Sequence, residues 1–314
     1  MKTESMAHFA PADCSARASA DGAGPVRRKV GRFREARGTK VLRATLSGLS
    51  QFSPALAAHV GYRLLARPPR AAERPWQREL RDKSIPSRLR VGGGTVAVNE
   101  WGDRARPTIL MVHGWGARAT HMGRMIDPLV AAGFRVVSFD APAHGQSEGR
   151  TTDLVEFAGT VHAVATFAGS LHAVLAHSFG AAMALLAARD WGVAANRHVL
   201  ISAFDHCKWF CNAFGHHTGL TQDVIERMQR MMTERHNGRF DWNQASVIEM
   251  LRSTRRPALL IHDEDDPEIP FAHSVALLHG APNAALHATR GLGHHRLLAD
   301  RSVIDRIVEF LSVE

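Results

Sequence analysis

The chain has little cysteine: Cys14, Cys207 and Cys211 are its only thiols in 314 residues. So odd and sparse a set excludes a disulfide framework and suits a reducing compartment, so a cytoplasmic location is expected. Residues 1–24 lack a charged start followed by an apolar core of about 7–15 residues, and no secretory leader is expected there. Long apolar runs are also scarce. The best, from Leu171 to Ala188, is interrupted by His172, His177, Ser178 and Gly180. It reads as a buried strand followed by a helix, not as a membrane span. Neither G-x-G-x-x-G nor a Walker A motif occurs, so no nucleotide cofactor is implied.

Acidic residues are scarce at one end. Residues 1–90 carry 19 Lys+Arg and 7 Asp+Glu, a balance of +12, against 20 and 23 in the remainder, a balance of −3. The net charge of +9 therefore belongs to an extension, and a nucleic-acid partner is not expected. Residues 1–50 read as a basic, disordered extension, through which a weak peripheral association with a membrane surface is expected.

What is present is a large supply of apolar residues, 45% of the chain, enough for a sizeable core. Residues 51–84 read as a helix and linker. Ser53-Pro54 is a helix start, Leu56, Val60 and Leu64 share one face, and Pro68-Pro69 stops the helix. From residue 85 strands and helices alternate. Arg88–Val91 and Thr95–Trp101 form a hairpin through glycines. Strands follow at 108–113, 134–139, 171–177, 198–202, 258–262 and 284–289. Helices lie at 122–132, 154–167, after Ser178, at 271–278 and at 303–311. This rhythm predicts an α/β fold with a mainly parallel sheet covered by helices on both faces, spanning 85–203 and 257–314. Residues 204–256 break it and read as a helical lid insertion, with helices near 221–232 and 244–251.

Four motifs follow predicted strands. They are His113-Gly114-Trp115-Gly116, Ala176-His177-Ser178-Phe179-Gly180, the segment from His262 to Pro270, and Gly291-Leu292-Gly293-His294. Together, and in this order, they resemble the α/β-hydrolase superfamily, its serine esterase and lipase branch, over about residues 88–314. The second is similar to the nucleophile elbow G-x-S-x-G, with Ala176 at the first glycine. Asp140-Ala141-Pro142-Ala143-His144-Gly145-Gln146-Ser147 resembles a further loop of that superfamily and is read as structural.

The resemblance implies roles. Ser178 would be the nucleophile, His294 its base and Asp266 the acid that orients the imidazole. The backbone N–H groups of Trp115 and Phe179 would form the oxyanion hole. Asp263, Asp265 and above all Asp205 are alternatives for the acid, and His295 for the base. Cys207, Cys211 and the histidines near them invite a zinc reading, but the C-x₃-C spacing is unusual and no metal is expected. Trp209, Phe210 and Phe214 are expected to pack or to wall an acyl site. The expected activity is cofactor-independent hydrolysis of a small-molecule carboxylic ester. A thioesterase, a carbon–carbon bond hydrolase, an acyltransferase and a non-catalytic membrane- or partner-binding module stay open.

Overall fold

The computed structural model describes residues 37–313; most of the basic extension lies outside the described residues. Helices α1 (Arg37–Phe52), α2 (Pro54–Leu65) and α3 (Pro75–Asp82) precede the hairpin of β1 (Ile85–Val91) and β2 (Gly94–Trp101). Strand β3 (Thr108–Val112), a 3₁₀ stretch over Ala119–Met125, α4 (Ile126–Ala131), β4 (Arg135–Phe139), α5 (Leu154–Ala168), β5 (Leu171–His177), α6 (Phe179–Trp191) and β6 (Ala195–Ile201) come next. Helices α7 (Cys207–Thr218), α8 (Gln222–Arg235) and α9 (Val247–Thr254) then intervene. The chain closes with β7 (Ala258–Asp263), α10 (Ala272–Gly280), β8 (Ala284–Thr289), α11 (Gly293–Arg296) and α12 (Arg301–Ser312).

The eight strands form one sheet in the order β1-β2-β4-β3-β5-β6-β7-β8. Only the β1–β2 and β2–β4 pairings are antiparallel; the rest of the sheet is parallel. The central strands are mostly apolar because both faces are covered. Alternation along β3 shows it. Leu110 and Val112 join the core beneath α5 and α6, whereas Ile109 and Met111 join the core under α4 and α12. The α/β expectation therefore holds. No helix among the described residues is long and apolar enough to cross a membrane.

Three readings of the first 84 residues change. Residues 37–50, expected in the disordered extension, are helical, and Leu46 and Ser50 are buried. On α2 the buried face is Ala57, Ala58, Gly61 and Leu65, while Leu56 is half exposed. The cause is close helix approach: a Cβ at Gly61 would lie 2.8 Å from Leu220 and 2.9 Å from Met228. Small residues bring α2 onto α8 where the larger ones would hold it off. Finally, the linker contains α3, whose Leu80 carbonyl accepts from the Trp101 indole at 2.9 Å.

One ion pair is buried at the sheet's antiparallel side. Arg135 donates through two of its nitrogens to Glu100, and also to the Ala168 carbonyl at 2.8 Å; both side chains are nearly sealed from solvent. Removing Arg135 leaves the buried Glu100 carboxylate with Arg104 alone, a largely exposed partner 2.7 Å away. Arg135→Leu is expected to lower the unfolding free energy by about 3–5 kcal/mol in urea titrations. The double change Glu100→Leu with Arg135→Leu should cost less than Arg135→Leu alone.

Candidate active site

Strand β5 delivers Ser178 onto a turn with φ +56° and ψ −127°, a backbone conformation costly for a residue with a Cβ. The Ser178 N–H donates to the Ile201 carbonyl at 2.8 Å, which ties the turn to β6. Helix α6 can start at once because Gly180 has no side chain: a Cβ there would lie 2.3 Å from the His113 carbonyl oxygen. Ala176 is fully buried between Val112 and Leu200 in the sheet, and the sharp turn forms with alanine there.

The turn brings the sequence-selected residues together. His294 Nε2 lies 3.1 Å from Ser178 Oγ, and His294 Nδ1 lies 2.8 Å from Asp266 Oδ2. Burial alone would raise the Asp266 pKa, but hydrogen bonds from His262 and His294 outweigh it and hold the carboxyl well below the usual carboxylate range. Asp266 Oδ1 also accepts from the backbone of Glu268 and Ile269. The rival acids are elsewhere. Asp205 pairs with His273 at 2.9 Å, Asp263 anchors Thr289 and the Leu292 N–H, and Asp265 accepts from the Gly291 N–H. His295 points at Glu268, 2.9 Å away, and that hydrogen bond raises its pKa.

Above Ser178 runs the loop after β3, so close that a Cβ at Gly114 would lie 3.2 Å from Ser178 Cβ. Among the described residues, the N–H groups of Trp115 and Phe179 have no hydrogen-bond acceptor. Two buried imidazoles hold this loop. His144 Nε2 accepts the Gly116 N–H at 3.0 Å, and its Nδ1–H donates to Pro142. His113 Nε2 accepts the Ala141 N–H at 3.0 Å, and its Nδ1–H donates to Gly114. Asp140 joins in, taking the N–H groups of Ala119 and Gln146 at 2.7 Å each. The 140–147 loop is thus a scaffold, as its Pro, Gly and Asp content implies.

Sequence reasoning missed several participants. The strap between α2 and α3 walls the cleft: Pro69 and Ala71 line it, and a Cβ at Gly116 would lie 2.9 Å from Pro69. Arg70 pins the strap by donating to the carbonyls of Ala143, Ser147 and Gly149 at 2.9–3.1 Å. His177, inside the elbow motif, is buried and donates from Nε2 to the His294 carbonyl at 3.1 Å. His262, four residues before Asp266, supports that carboxylate from behind at 3.3 Å. Its i, i+4 spacing was the available signal.

The cleft holds about 440 Å³. In its lining Trp115, Phe179, Phe204, Trp209 and Phe210 form one cluster of touching rings, and His121, His177 and His295 form another, with Glu268 beside His295. A larger cleft of about 560 Å³ between the β1–β2 hairpin and α5 contains no histidine or serine. Burial pushes the Cys207 and Cys211 thiols up to about 12, which leaves them poor metal ligands. Among the described residues, one ring nitrogen each from His177, His294 and His295 comes within 4.8 Å of the others, close enough to share an ion.

The α/β hydrolase family model matches residues 109–306, more than half of the chain, and the chain belongs to that family. Similar proteins carry hydrolase names. A 2-hydroxy-6-oxononadienedioate/2-hydroxy-6-oxononatrienedioate hydrolase of Klebsiella pneumoniae is 44% identical over 62 residues, 18% of this chain and 21% of that protein. A human serine hydrolase-like protein is 31% identical over 98 residues, 30% of this chain and 48% of that one. The chain thus matches between about a fifth and a half of these relatives' lengths. An esterase of Pyrococcus furiosus shares the fold with a TM-score of 0.59 at 18% identity, covering 78% of this chain and 95% of the esterase.

The buried histidines make stability depend on pH. Burial lowers His113, His121 and His198 to about 4 and His144 to about 3, from 6.5. Between these values the unfolded chain binds more protons than the folded one. This stabilisation is complete above pH 6.5 and is lost as pH falls towards 4. The calorimetric unfolding midpoint should drop on the order of 5 °C between about pH 7 and pH 5. His198→Gln should flatten that slope.

Proposed function

We propose that the protein is a serine hydrolase that cleaves a carboxylic ester through an acyl-Ser178 intermediate. The observation that carries this reading is the unbroken series Ser178 Oγ, His294, Asp266, 3.1 and 2.8 Å per step, beneath unpaired N–H groups. Ser178 Oγ attacks the carbonyl carbon as its proton passes to His294 Nε2. Asp266, ionised throughout, stabilises the imidazolium and keeps Nδ1 as the protonated nitrogen. The N–H groups of Trp115 and Phe179 receive the developing oxyanion. The alcohol leaves with the proton from His294. Water, deprotonated by the same nitrogen, then attacks the acyl carbon and frees the serine. No cofactor enters any step.

The aromatic cluster of the cleft supports a small or medium acyl chain, and the 204–256 insertion, whose α7 contributes Trp209 and Phe210 to it, would act as a lid. A carbon–carbon bond hydrolase is the second reading, favoured by the name of the Klebsiella relative. Thioester cleavage and acyl transfer use the same residues with a different leaving group or acceptor. A binding module without catalysis is the reading that the intact series opposes.

Hydrolysis of p-nitrophenyl esters from acetate to palmitate tests this. Ser178→Ala is expected to lose about 10⁴-fold or more in kcat, and rates should peak at short or medium chains. A folded wild type that cleaves none of them would sink the ester reading. Asp266→Asn is expected to lose about 10³–10⁴-fold in kcat, whereas Asp205→Asn should stay within about threefold of wild type.

A further inference from the structure

The cleft does not end at the histidines. A second cavity of about 500 Å³ continues from it, and Ala71, Ala117, His121 and His295 line both. Its remaining wall carries Arg74, Arg118 and Arg124 and not one carboxylate. The three guanidiniums are not equivalent. Arg118 is spent on the strap: it donates to the Ala71 carbonyl at 2.6 Å and pairs with Glu73 at 3.4 Å. Glu73 is itself engaged by Arg81. The guanidinium carbon of Arg124, an exposed residue, lies 4.2 Å from the Trp76 ring centroid, which holds the charge over an aromatic face. Neither Arg124 nor Arg74 has a carboxylate partner among the described residues. Glu268, the nearest acid of the active-site cleft, is taken by His295.

Direction follows from the chemistry. The leaving group must lie within hydrogen-bond reach of His294 Nε2, which returns the proton. His295, the next residue, forms the shared wall. The aromatic cluster lines the first cleft and not the second cavity, and it suits the acyl chain. From this we propose that the second cavity is a leaving-group subsite for an anionic group, a carboxylate or a phosphate, held by Arg74 and Arg124. The proposal rests on the serine hydrolase reading and names its substrate class: acyl compounds whose alcohol or thiol portion carries a negative charge.

Two measurements test it. The first compares butyrate esters of three phenols bearing a para carboxamide, carboxylate or phosphate. Each variant's kcat/KM is divided by that of wild type for the same ester, which cancels phenol reactivity. In Arg74→Gln with Arg124→Gln, preference for the charged esters over the carboxamide should fall about tenfold or more, a loss typical of charge-assisted hydrogen bonds. Arg74→Lys with Arg124→Lys should recover part of it. Equal loss on all three esters, or no loss of preference, overturns the subsite. The arm that responds more strongly, carboxylate or phosphate, identifies the anion.

The second measurement needs no turnover. Phenyl phosphate and 4-hydroxybenzoate are titrated calorimetrically into Ser178→Ala, with and without Arg74→Gln. At least one should bind, and bind several-fold more weakly once Arg74 is lost or salt is raised. If neither binds, the subsite is refuted even where neutral esters are hydrolysed. If they bind but no ester is cleaved, the hydrolase reading fails and the anion site survives.

Discussion

The turn at Ser178 is the constraint on which the site depends. A residue with a Cβ sits at φ +56°, where the backbone costs of order 1–3 kcal/mol. The surroundings over-determine it. A parallel sheet fixes where β5 ends, the Ile201 carbonyl takes the Ser178 N–H, and Gly180 lets the chain pass under the His113 carbonyl. The result is a hydroxyl at the mouth of a helix, where N–H groups converge. Other functional side chains arrive at it from strand ends already aligned by the sheet. Asp266 follows β7, and His294 follows β8.

Around this turn the protein uses imidazole as a two-sided peg. His113 and His144 each accept one backbone N–H and donate to one carbonyl, so each ring has a single workable protonation state. Burial enforces that state by making the charged form costly. His177 is a third ring kept neutral by burial, donating to the backbone of His294. At neutral pH these rings keep one protonation state and so act as dependable spacers beside His294, whose protonation the proposed mechanism requires to change.

Much of this was legible in the sequence, for identifiable reasons. Central strands read clearly because burial on both faces made them continuous apolar runs. Ser178, His294 and Asp266 were found because their motifs follow those strands, and the distances single out Asp266 from Asp205, Asp263 and Asp265. The N-terminal segment was harder. On α1 the large apolar residues Val41, Leu42 and Phe52 are exposed while Leu46 is buried, α2 packs through Ala57, Ala58, Gly61 and Leu65 while Leu56 is half exposed, and half of α3 is charged. Their partners are distant in sequence, α7 for α1, α8 for α2 and the 3₁₀ stretch Ala119–Met125 for α3, and a periodicity argument sees only near neighbours. Pro69 and Arg70 read as a helix stop and a surface charge, since nothing local shows which carbonyls a guanidinium will reach.

The strap at Pro69–Ala71 has a wider consequence. The family match begins at residue 109, yet a wall of the cleft comes from residues some forty positions earlier. The matched region and the cleft therefore have different borders in this chain. The matched part carries Ser178, Asp266 and His294, while part of the wall that any bound molecule would meet comes from a segment outside it. A change at Pro69 or Ala71 would reshape the cleft without touching those three residues.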